Sequence, residues 1–132
     1  MLIHGPRQCG KTTLARRIGE RAGYTYFTVV RGSPRDYVES HPRRPVLVVE
    51  VAQSRLRLAR GRKAAVYARA RITDYWIVNL VDRVFEVHRE PARPGPARRG
   101  WGYGSVETLG ADASITPLAA PTAVIRVADL LP

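Results

Sequence analysis

Cysteine is almost missing from this chain: of 132 residues only Cys9 carries a thiol. A single cysteine forms no internal disulfide and cannot build a multi-cysteine zinc centre, and its isolation fits a reducing compartment, the cytoplasm. Long apolar runs are missing too. No stretch approaches the roughly 18 apolar residues of a membrane span, and no secretory core follows the start, so no membrane association is expected. Acids are scarce, with 11 Asp+Glu against 22 Lys+Arg and a formal charge of +11. Lysine is scarcer still: Lys11 and Lys63 stand beside twenty arginines. What is plentiful is ordinary apolar content, 45% of the chain. That excludes wholesale disorder and suits one compact domain burying roughly two thirds of its unfolded surface.

The charge is lopsided. Residues 1–62 hold 13 Lys+Arg and 4 acids, whereas residues 63–132 hold 9 and 7. A one-sided cationic excess suits a polyanion such as nucleic acid or nucleotide phosphate. A habit of writing Arg for any cation accounts for part of the excess. The same habit singles out the two lysines, where a compact ammonium in place of a planar fork is called for.

Residues 2–4 read as a short strand and 11–21 as a helix ended by Gly23, with a β-branched and aromatic strand at 24–30. Val46 to Val51 is a continuous apolar run broken by Glu50, the pattern of a strand buried on both faces. Residues 55–70 have helical composition, with Lys63, Val66, Tyr67 and Ala70 on one stripe. A hairpin is expected over 75–80 and 84–89, a proline-rich loop over 90–100, strands at 101–109 and 114–116, and a closing segment at 124–131. The order β-α-β followed by β-α-β-β-β-β indicates an α/β (α+β) sheet protein. Tyr67, Tyr75 and Trp76 read as core, and His41 and His88, which lack any ligand spacing, as surface residues.

Gly5-Pro6-Arg7-Gln8-Cys9-Gly10-Lys11-Thr12 matches G-x-x-x-x-G-K-[ST] between a strand and a helix. Glycine backbone amides and the helix N-terminus suit phosphate oxygens there. In that role Gly5 and Gly10 cradle the nucleotide, Lys11 reaches the outer phosphates and Thr12 takes Mg²⁺. Residues 1–28 resemble the opening of bacterial AAA-type ATPases. That resemblance implies ATP binding, but a hydrolytic core of that class is much larger, so ATP hydrolysis is not expected.

From residue 29 a second resemblance takes over. Val29 to Tyr37, Val46 to Ala52, Arg60 to Ala70, Asp74 to Leu80 and the tail from Val106 to Leu130 look like the Uma family of restriction endonucleases. The resemblance implies the PD-(D/E)xK nuclease fold: a restriction-endonuclease-like sheet with flanking helices, its N-terminal strands here replaced by the P-loop β-α-β fragment. It also implies hydrolysis of DNA phosphodiester bonds with Mg²⁺ or Mn²⁺, Glu50 as metal-binding and catalytic carboxylate, and Lys63 on the following helix as its catalytic partner. Arg31, Arg35, Arg43, Arg44 and Arg62 would bind DNA, and a homodimer would supply two sites for two strands. On this reading the chain divides into 1–28, the ATPase-like fragment, and 29–132, an N-terminally truncated nuclease-like domain.

The sequence departs from the family pattern at three points. The first metal-binding aspartate falls at Tyr26, a further aspartate at Ala59, and the usual lysine two residues beyond the strand carboxylate at Ala52. The resemblance therefore implies a weakened or inactive metal site. Two alternatives stay open beside the nuclease: a P-loop nucleotide-binding protein, and a DNA-binding remnant without catalysis. From the residues alone, Glu50 could also be matched by an arginine and Lys63 could be solvated.

Overall fold

The computed structural model describes residues 1–4, 11–23, 28–30, 44–93 and 100–131. Its centre is a six-stranded sheet in the order β2-β1-β3-β4-β5-β6. The strands are β1 (Leu2–His4), β2 (Thr28–Val30), β3 (Val48–Ala52), β4 (Asp74–Asn79), β5 (Val84–Ala92) and β6 (Gly102–Leu109). From β2 to β4 neighbours run parallel; β4-β5 and β5-β6 run antiparallel. Parallel neighbours require a crossover. Helix α1 (Lys11–Ala22) connects β1 to β2, and a second helical run connects β3 to β4. That run is composite: a single turn α2 (Leu56–Leu58), a π-turn (Ala59–Lys63) and α3 (Ala64–Arg69).

The two helical layers cover opposite faces of the sheet. Against one face Leu14, Ala15 and Ile18 of α1 pack on Ile3, Val49, Val51, Trp76, Val78, Phe85 and Val87. The same cluster takes in Ile115 and Ile125 from the small hairpin β7 (Ser114–Ile115) and β8 (Ile125–Arg126), and Val127, Leu130 and Leu131 beyond it. On the other face Ala59, Ala64, Tyr67 and Ala68 of the composite helix lie over Leu2, Val48, Ala52, Tyr75, Ile77 and Tyr103. The α/β restriction-endonuclease-like class expected from the sequence is the fold observed.

Local signals account for most boundaries. In α1 the 14, 15, 18 spacing makes one apolar stripe, and Gly23, at φ 68°, ends the helix in the left-handed region that glycine adopts without strain. All five residues of β3 are buried, as an apolar run between two helical layers should be. Two expectations need correcting. The loop placed at 90–100 begins later, because β5 continues through Pro91 to Ala92 opposite Tyr103 and Gly102. Its pairing with β4 has already ended at Arg89, so Pro91 has no second strand to which an N–H would be owed. His88, expected at the surface, is 5% exposed, because β5 is covered on both faces. The β1-α1-β2 order expected of the N-terminal fragment is present, with β1 hydrogen-bonded between β2 and β3 in the common sheet. Gly5, Gly10, Tyr26, Arg31, Arg35, His41 and Arg43 lie outside the described residues, as does the side chain of Lys11.

Candidate active site

Glu50 sits in the middle of β3 with its side chain on the face that the composite helix covers. Cross-strand register aligns Glu50 with Ile77 of β4, and Ile77 with Glu86 of β5. Residues in one such row project to the same face, so two carboxylates stand roughly 10 Å apart along the sheet with an isoleucine between them. Both are buried, Glu50 at 4% and Glu86 at 2% exposed. An isolated carboxylate there would be too costly to keep ionised, so each needs a cation.

Both cations come from the π-turn. Lys63 Nζ donates to Glu50 Oε1 at 2.6 Å, and this ion pair is largely shielded from water. Arg60 grips Glu86 with its fork, Nε donating to Oε2 at 3.0 Å and Nη2 to Oε1 at 2.6 Å. Asn79 Nδ2 adds a third donor to Glu86 Oε1 at 3.2 Å. His88 stands beside the same carboxylate, its Nε2 at 3.6 Å from Oε2, a separation that works through charge when the imidazole is protonated and is long for a hydrogen bond. Burial alone would push the Glu86 carboxyl up. The neighbouring His88, the donors Arg60 and Asn79 and the charge of Arg60 outweigh it and hold the group at about 2.

Aromatic rings close the floor. Tyr75 contacts Tyr67 at 5.0 Å, His88 at 5.4 Å and Tyr103 at 5.8 Å between ring centroids. Its hydroxyl donates to the carbonyl of Ala59 at 3.1 Å. Burial, with the nearby charge of Glu50, raises the Tyr75 phenol well above its ordinary range, so it is a neutral donor at any working pH. Ala59 is buried at the start of the π-turn.

The structure thus brings Glu50 and Lys63 together, as the sequence reading anticipated. Thr12 is exposed in the first turn of α1, and residues 5–10 before it lie outside the described residues. Arg44 and Arg62 are exposed. So are Arg55, Arg57, Arg69 and Arg71, and residues 51–73 hold no acid at all, which makes the composite helix the most basic layer described. Sequence reasoning missed Glu86, Arg60 and His88. The available signal was alternation: Phe85 and Val87 fill one face, which sends Glu86 and His88 together to the other.

Among the described residues no group of three or more His, Cys, Asp or Glu is placed to hold a metal ion. Both buried carboxylates are engaged, Glu86 by Arg60 and Asn79 and Glu50 by Lys63. Glu50 could hold a divalent cation only as one ligand beside substrate oxygens and water. No helix among the described residues is long and apolar enough to cross a membrane.

A mixed sheet between helical layers, with a strand carboxylate met by a lysine from the following helix, defines an α/β protein of restriction-endonuclease-like architecture. The family model described as "Uma2: Putative restriction endonuclease" matches residues 12–128, and the chain belongs to that family. The matched span takes in α1 as well as the stretch from residue 29. No curated protein matches the chain.

Proposed function

We propose that this protein is a DNA endonuclease whose reacting centre is the Glu50–Lys63 pair. The observation that carries the reading is the 2.6 Å contact between these two side chains beneath the composite helix, in a chain that uses lysine twice. Mg²⁺ or Mn²⁺, when bound together with DNA, would take Glu50 as its protein ligand and supply positive charge to the phosphate oxygens and an activated water. Lys63 gives the buried Glu50 carboxylate a charged partner and brings a positive charge to the place where a phosphodiester would gain negative charge. The arginines of the composite helix supply the long-range attraction for duplex DNA, Arg62 among them, with Arg44 nearer β3 and Arg31, Arg35 and Arg43 in the same role. A homodimer would present two such centres to the two strands.

Plasmid nicking in Mg²⁺ and in Mn²⁺ tests this, comparing wild type with Glu50→Gln, Lys63→Met and Lys11→Ala. Nicking falls by about 100-fold or more in the first two, the scale of losing one preorganised electrostatic group, and is retained in Lys11→Ala. Wild-type rates in Glu50→Gln would refute it.

A second reading has its own observation: the charge of Glu50 is already matched by Lys63, so the fold is electrostatically complete without a metal. On that reading the protein binds DNA through the arginine layer and does not cut it. Salt-sensitive DNA binding by a wild type that nicks in neither metal would establish it. ATP binding at Gly5, Gly10, Lys11 and Thr12 is the remaining alternative, and its signature is an ATP-induced rise in melting temperature that Lys11→Ala abolishes.

A further inference from the structure

A π-turn is uncommon, and where one interrupts an α-helix it is frequently at a functional site. Here it spans Ala59–Lys63, and its widened hydrogen bond runs from the Ala64 N–H to the Ala59 carbonyl. Three contacts tie this turn to three successive strands. Lys63 reaches Glu50 on β3, the Tyr75 hydroxyl of β4 donates to the Ala59 carbonyl, and Arg60 reaches Glu86 on β5. The Ala59 carbonyl therefore accepts both the Ala64 amide and the Tyr75 phenol, using both of its lone pairs.

The geometry follows from the helix. In a regular α-helix, residues three apart lie on one narrow face, one above the other. Glu50 and Glu86, by contrast, are two strands apart, about 10 Å at the usual strand spacing. A wider turn separates positions 60 and 63 around the helix axis, so that one cation reaches β5 while the other reaches β3. Without that widening, two side chains from neighbouring positions would have to share one strand.

We infer that Glu86, acting through Arg60, is a positioning residue that holds the π-turn open and thereby sets where Lys63 Nζ stands against Glu50. The inference deepens the proposed nuclease reading and rests on it for its catalytic consequence. Its physical core, that the Arg60–Glu86 clamp fixes Lys63, is independent of any reaction. Arg60 is suited to probing this because its side chain is 48% exposed, so its removal empties no core.

The test uses full-length protein and the chain's own scarcity of lysine. Trinitrobenzenesulfonate modification, read peptide by peptide by mass spectrometry, follows Lys63 in wild type, Arg60→Met, Arg60→Lys and Glu86→Gln, with Lys11 as internal reference. In wild type Lys63 reacts slowly, being ion-paired and 13% exposed. Arg60→Met and Glu86→Gln should raise its rate about tenfold relative to Lys11, Arg60→Lys should recover part of the protection, and the near-UV signal of buried Trp76 on the opposite face should persist. In nicking assays Glu86→Gln, which removes no arginine from the helical layer, should lower kcat about tenfold with KM unchanged. Unaltered Lys63 protection in both Arg60→Met and Glu86→Gln overturns the inference. So does loss of protection together with the Trp76 signal, the mark of general unfolding. Loss of Lys63 protection alone, in a protein whose wild type nicks nothing, upholds the clamp and removes the nuclease reading instead.

Discussion

Asp74 and Glu50 are buried carboxylates on adjacent strands that face opposite sides of one sheet. Asp74, fully buried, accepts from Trp76 Nε1 at 2.7 Å, Arg89 Nε at 2.9 Å and the Leu118 amide at 2.9 Å. Arg89 in turn donates to the Thr116 carbonyl at 2.6 Å, so the network straps residues 116–118 onto the sheet. Its donors include a backbone amide and a forked guanidinium, which lock one geometry. Glu50 is met instead by the compact ammonium of Lys63, delivered by an irregular turn. One face thus uses a buried charge to fasten the chain, while the other sets Glu50 against an ammonium delivered by the π-turn.

The contrast predicts different responses to substitution. The largest effect belongs to Asp74→Ala, which strands Arg89, the Trp76 indole N–H and the Leu118 amide. Urea denaturation should show a loss of about 4 kcal/mol, the range for breaking a buried charged pair. A loss below about 1 kcal/mol would mean that the strap is ornamental and the two faces are alike.

Next comes acid. The Glu86 carboxyl is held at about 2, against an ordinary value of 4.5. Because the folded value is the lower one, its contribution of about 3 kcal/mol is present above pH 4.5 and fades as pH falls through about 2. Wild type should therefore lose its stability advantage over Glu86→Gln between about pH 5 and about pH 2. A gap that stays constant over that window would show that the clamp carries no net charge stabilisation.

The smallest effect concerns the surfaces. Arg62→Ala, on the basic helical layer, should lower the salt slope of DNA binding by about 1, one phosphate contact. Arg126→Ala, exposed on the opposite side and paired with Asp129 at 3.1 Å, should leave it unchanged. Equal slopes for the two variants would break the assignment of DNA to the helical layer.

How much of this was legible depends on how local each cause is. The apolar run around Glu50, the stripe of α1, the Gly23 terminator and the hairpin between β4 and β5 are written in neighbouring residues, and they were readable. The Glu50–Lys63 contact was reachable through the family resemblance, which implies a lysine on the helix after the strand; the residues alone left Glu50 open to an arginine and Lys63 to solvent. Arg60 was not. It is one of twenty arginines, and nothing local distinguishes the one whose partner lies on β5. The π-turn has no compositional signature either, since a widened turn arises from what the sheet offers its ends. His88 was misread for a related reason: a histidine without ligand spacing looks like surface until a second layer covers the strand.

One arrangement also governs when this chain can fold. The face packed by α1 is completed by Ile115, Ile125, Val127, Leu130 and Leu131, joined to Ile3, Leu14 and Ile18 in one cluster. Arg17 of α1 donates to the Asp129 carbonyl across the same seam, and Arg21 lies 3.8 Å from the Asp129 carboxylate. A ribosome delivering this protein therefore releases β1 and α1 well before the residues that seal them. Until then the cluster around Trp76 and Phe85 lacks its last cover, which makes its completion a late, long-range closure.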